Sequence, residues 1–74
     1  MDINTVFGKI LRDERKARKL SQEQLADMSG MHVNHISFIE RGKTSPSLQA
    51  MQQIAQAMGI KLSALIAAAE SADT

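Results

Sequence analysis

The reading of one stretch, Ser21-Gln-Glu-Gln-Leu-Ala-Asp-Met-Ser-Gly-Met-His-Val-Asn-His-Ile-Ser-Phe-Ile-Glu-Arg41, decides the fold. Ser21 with Gln24 three positions on forms a capping-box pattern, which opens a short helix over about 22–28 that Gly30 stops. Val33, Ile36 and Ile39 then repeat at three-residue steps, the mark of a further helix over about 32–41 that ends at the Arg41-Gly42 turn. Ala26 is small where two helices crossing steeply need close backbone approach. Gly30 can take the positive φ of a tight turn, and Ile36 closes the pair from beneath. Together the three describe a helix-turn-helix.

Outward from this corner the rest of the chain is also helical. Ile3, Val6, Phe7, Ile10 and Leu11 keep three- and four-residue steps, so a first helix is predicted over about 4–18 with this stripe buried. Ser45-Pro46 reads as a cap followed by proline at the first helical position, opening a fourth helix over 46–58 with Leu48, Met51, Ile54, Ala55 and Met58 inward. A fifth helix is expected over about 62–69, with Glu70 to Thr74 frayed. No strand alternation or internal repeat occurs, and connections of two to five residues leave no room for a second domain. The expectation is a single domain over 1–74: all-α, a compact five-helix bundle.

Composition narrows the function classes. At 74 residues the chain suffices for one domain, and a domain of this size buries only about 60% of its unfolded surface, so a partner subunit would add stability. There is no cysteine, hence no disulfide framework or thiolate metal site. No apolar run approaches the length of a membrane span, the first residues are polar rather than signal-like, and a cytoplasmic location is expected. The net charge of +1 argues for no partner by itself, but six of the nine basic residues (Lys9, Arg12, Arg15, Lys16, Arg18, Lys19) lie close together, and Arg41 and Lys43 form a second group. Two phenylalanines without tryptophan or tyrosine do not supply a stacking platform for single strands. No nucleophile, base and pocket come together, so an enzyme is not expected.

The stretches Phe7-Gly-Lys-Ile-Leu-Arg12, Leu20-Ser-Gln-Glu-Gln-Leu-Ala26, Ile36-Ser-Phe-Ile-Glu-Arg-Gly-Lys43, Pro46-Ser-Leu48 and Ile54-Ala-Gln-Ala-Met-Gly59 closely resemble the phage-repressor family of DNA-binding domains, also called the Cro-type or XRE family. The resemblance covers nearly the whole chain and implies a lambda-repressor-like domain that regulates transcription. The short length resembles the controller proteins of restriction-modification systems, or a minimal phage or plasmid repressor.

The resemblance implies that the third helix enters the major groove of double-stranded DNA. Asn34, His35, Ser37, Phe38 and Val33 would then reach base edges. Asn34 is the first choice for direct readout, because a carboxamide pairs bidentately with adenine. Phe38 would touch a thymine methyl or cover sugar atoms. Gln22 at the start of the second helix, together with His32, Arg41, Lys43 and Thr44, would hold phosphates. Arg15 and Glu40 match a pair that the family joins as an internal salt bridge, a role that competes with DNA contact for Arg15. Four positions depart from the family: Lys19 replaces a usual glycine, His32 a capping serine or threonine, Lys61 is a poor cap, and Val33 replaces a long polar side chain.

One helix in one groove reads few base pairs, so a homodimer on a palindromic operator is expected. Its interface is placed at Ile60, Leu62, Leu65 and Ile66, apolar surface that one small monomer would not cover. His32 and His35 are three apart but have no third ligand nearby, so no metal is expected; as groove or phosphate contacts they would bind more tightly in acid. No cofactor or small-molecule effector is expected. Repression and activation both remain open, as do a restriction-modification, phage, plasmid or toxin-antitoxin setting. The alternative from another class is an antitoxin-like module whose fifth helix packs on a different protein.

Overall fold

Where each helix begins is set by which side chain satisfies its first free N–H groups. The computed structural model describes residues 2–73 and places there α1 (Ile3–Ala17), α2 (Gln22–Ser29), α3 (Val33–Glu40), α4 (Leu48–Met58) and α5 (Leu62–Asp73). Asp2 Oδ1 accepts from the Thr5 N–H at 2.9 Å, so α1 opens one residue before the expected Asn4. That backbone bond from Thr5 holds the Asp2 carboxyl below the usual carboxylate range. In α2, Ser21 Oγ accepts from the Gln24 N–H at 3.0 Å while Gln24 Oε1 accepts from the Ser21 N–H at 2.8 Å, the reciprocal capping box.

The fourth helix begins later than the spacing predicts. Ser47, not Ser45, is its cap: Ser47 Oγ accepts from the Ala50 N–H at 3.0 Å, which leaves Pro46 outside the helix and makes residues 41–47 a longer connection than expected. Leu48 is consequently turned outward, 71% exposed, and Ala50 takes the inward position. Ile3, expected on the buried stripe of α1, is likewise exposed, because only one turn of helix follows it before the core begins at Val6. At the other end α5 continues to Asp73 rather than fraying from Glu70, held by the buried Ala69; Thr74 lies outside the described residues.

Leu11, Leu25, Ile36, Ile39, Ile54 and Leu65 are fully buried and come from all five helices. Each such side chain stabilises the fold by about 1.5–3 kcal/mol relative to exposure. The helices α1 and α5 pack together, α3 lies against both α1 and α2, and α4 joins α2 to α5. Gly8 permits the α1–α3 approach: a Cβ there would meet the carbonyl oxygen of Ile39 and come within 2.7 Å of that of Glu40. No other residue fits.

The ends of the first four helices share one device. A residue in the left-handed region follows each, and the next N–H reaches back to a carbonyl five residues earlier: Leu20 to Arg15 at 3.2 Å, Met31 to Ala26 at 2.9 Å, Lys43 to Phe38 at 2.9 Å and Ile60 to Ala55 at 3.0 Å. Three of these residues are glycines. The fourth is Lys19, at φ 58°.

Beneath the corner lies a buried ionic junction. Arg15 donates from Nε to Glu40 Oε2 at 2.6 Å, from one terminal nitrogen to Glu40 Oε1 at 3.0 Å, and from the other to the Leu20 carbonyl at 2.7 Å. Gln22 Nε2 donates to Glu40 Oε1 at 3.0 Å. All the polar atoms of the pair are therefore matched.

Two stability predictions follow from these contacts. Lys19→Gly relieves the left-handed backbone and should raise stability by about 1 kcal/mol, a rise in Tm of about 4–8 °C for a domain of this size; a lower Tm would contradict it. Glu40→Ala leaves the Arg15 guanidinium buried without its counter-charge and should cost about 3–5 kcal/mol, and an unchanged melting temperature would refute that assignment.

Candidate nucleic-acid interface

The corner fixes how α3 projects. Gly30 adopts φ 72° and ψ 26° after α2, and the buried Ala26 and Ile36 bring the two helices together. The chain then enters α3 through His32, whose Nδ1 accepts from the Asn34 N–H at 3.1 Å. Histidine thus does the capping that the missing serine or threonine would do.

Asn34, Phe38 and Arg41 stand at helical steps of four and three, and all three are exposed, forming one outward stripe. His35 and Ser37 flank it, each partly buried. Val33 is partly buried as well, packed against the core. Arg41 lies over the Phe38 ring, 5.1 Å from its centre, and donates from Nε to the Ser37 carbonyl at 3.4 Å. At an exposed site such a cation–π contact contributes about 0.5–1 kcal/mol. Lys43 is exposed just beyond, with Thr44 partly buried beside it.

Gln22 sits at the first position of α2, but its side chain is tied to Glu40. One amide N–H is spent there, so an anion at this helix end would meet mainly the free peptide N–H groups of the first turn. Arg15 is spent entirely within the fold: only 7% of it is exposed and each of its nitrogens has an acceptor. That resolves its two expected roles in favour of the internal one.

The expected interface on α5 needs one correction. Leu65 is 1% exposed and belongs to the core, because α5 packs on both α1 and α4 and that face of the helix turns inward. A charge placed there would report on folding and not on association. Ile60, Leu62 and Ile66 pack partly against the core and keep some free surface. Sequence reasoning missed Leu48, whose exposure follows from the shifted start of α4, and Gly8, whose only signal was a glycine inside a helical pattern, a choice that costs about 1 kcal/mol relative to alanine. Among the described residues no three His, Cys, Asp or Glu side chains group around His32 and His35.

Comparison with known proteins agrees with this geometry. A family profile described as "Helix-turn-helix" matches residues 11–65. The immunity repressor protein of Bacillus phage phi105 is 37% identical over 59 residues, which make up 80% of this chain and 41% of the repressor, so the chain spans about two fifths of that relative. Control protein C.SmaI of Serratia marcescens is 33% identical over 66 residues, 89% of this chain and 79% of that protein. Among solved structures, the restriction-modification controller protein C.AhdI from Aeromonas hydrophila superposes with a TM-score of 0.82 at 37% identity, covering 84% of this chain and 94% of the other. With the two-helix corner, the family profile and relatives named as regulators in agreement, the chain belongs to the helix-turn-helix family of transcriptional regulators, not to a family of enzymes.

Proposed function

We propose that this chain binds double-stranded DNA sequence-specifically as a cytoplasmic homodimer, placing α3 in the major groove of each half of a palindromic operator. The observation that carries the reading is the outward stripe of α3: Asn34 and Phe38 stand exposed, with Arg41 and Lys43 beyond them, and among the described residues no other helix covers that face. An α-helix with its side chains is about 10–12 Å across, and the major groove, about 12 Å wide, admits it. Asn34 is the residue for adenine, with His35 and Ser37 at neighbouring base edges. Arg41, Lys43, Thr44, His32 and the first turn of α2 at Gln22 would hold phosphates and set the register.

Size supports two copies. The longest dimension of the domain is 32 Å, whereas recognition helices in successive major grooves are about 34 Å apart, so one chain carries one reading head for one half-site. Leu62 and Ile66, four apart on α5, together with Ile60 offer the apolar surface for a two-fold contact. Regulation would then be by occupancy of the operator, either excluding polymerase or recruiting it. Relatives named as an immunity repressor and as controllers of restriction-modification systems support that reading.

Selecting bound sequences from a random duplex pool tests this directly. The expected product is an inverted repeat with half-sites about 10 base pairs apart; enrichment of no sequence would overturn the proposal and favour a protein partner on the fifth helix. On the selected site, Lys43→Ala should lower the slope of log affinity against log salt by about one unit and leave the ranking of sequences intact. Altered base preference would move Lys43 from phosphate contact to readout.

A further inference from the structure

Phe38 sits in the middle of the exposed stripe of α3, one turn beyond Asn34 and one turn before Arg41, and it is 46% exposed. A phenyl ring makes no conventional hydrogen bond to a base edge, so what Phe38 can offer a partner in the groove is apolar contact. Among the described residues the other exposed large apolar ones, Ile3, Met28 and Leu48, lie on three other helices. We infer that Phe38 is a specificity-determining residue that reads the C5-methyl group of a thymine in the major groove.

Two observations favour this over a sugar contact or a protein partner. Thymine C5-methyl is the one apolar group that base pairs present in the major groove, and the centre of a groove-facing helical stripe is where such a group is met. The ring is also held in advance: Arg41 lies over it at 5.1 Å and is itself tied by Nε to the Ser37 carbonyl, so the aromatic face and the guanidinium are presented together. The terminal nitrogens of Arg41 remain for a phosphate beside the base that Phe38 covers.

The inference rests on the DNA-binding reading, and uracil separates the two. Uracil differs from thymine only by the missing methyl, so replacing each thymine of the selected site in turn removes that group and nothing else. At the position under Phe38 the wild-type protein should lose about fourfold in affinity, the scale of one buried methyl, and roughly fifteenfold when both half-sites are changed. Phe38→Ala should bind wild-type and uracil sites equally at that position while keeping its response to other bases. Where the alanine variant binds too weakly to measure, Phe38→Gln, which keeps the reach without the apolar face, should show the same indifference. Binding of the selected site without loss at any uracil, or a loss that survives both variants, overturns the methyl readout alone. Failure to enrich any sequence overturns the DNA-binding reading with it.

Discussion

A single carboxylate ties the architecture together. Glu40, at the end of α3, accepts two bonds from Arg15 of α1 and one from Gln22 of α2, and Arg15 reaches on to the Leu20 carbonyl between those two helices. Taking both charges out of water is costly, and their attraction offsets that cost only when the geometry is good and the remaining donors and acceptors are matched. Here the contact is bidentate, the side chains are 8% and 2% exposed, and among the described residues no buried side-chain nitrogen or oxygen lacks a partner. The planar fork on a planar carboxylate joins the end of α3 to α1 through two directional bonds, which the apolar contacts alone do not supply.

That constraint works because the surrounding backbone has been cleared for it. Gly8 lets α1 come down on the last turn of α3, bringing Arg15 two turns further along to the level of Glu40. The left-handed turn at Lys19 then folds the chain back so that the Leu20 carbonyl faces the same guanidinium. In a small domain with a thin stability margin, such end fastenings matter as much as core volume: a terminator after each of four helices and a side-chain cap before each of the first four leave few backbone groups for water to pull open.

What could be read in the sequence was whatever depends on local spacing. The capping box at Ser21 and Gln24 and the corner of Ala26, Gly30 and Ile36 are decided within a few residues, and the structure places them accordingly, whereas the turn position of Lys19 was marked by the family resemblance. The Arg15–Glu40 contact was reached through the family resemblance, since nothing local pairs residues 25 apart. The misreadings have two sources, one a local cap and one a tertiary contact. The Ser45-Pro46 pattern pointed to the wrong serine: Ser47 accepts from Ala50, and that later start turns Leu48 from the inside to the outside. Leu62, Leu65 and Ile66 look like surplus apolar surface until α1 is known to lie along α5, which takes Leu65 inward and leaves the other two at the margin.

The same dependence on context explains why the reading face is less legible than the fold. Base-edge roles were assigned from position in the third helix, yet the helix presents those residues unequally. Val33 is pulled toward the core, His32 spends a ring nitrogen on the cap, and Gln22 is held by the buried carboxylate. The fold thus draws on side chains at both helix starts to hold the corner, and what stays free is a narrower stripe of Asn34, Phe38 and Arg41 with Ser37 and His35 beside it. Gln22 lies on the boundary between the two tasks. Tied to Glu40, it carries the rigidity of the ionic junction to the first turn of α2, so the peptide N–H groups there face outward in a direction set by the same carboxylate that aims α3. On the proposed binding mode, phosphate grip at the start of α2 and base readout on α3 are thus linked through one side chain, Glu40.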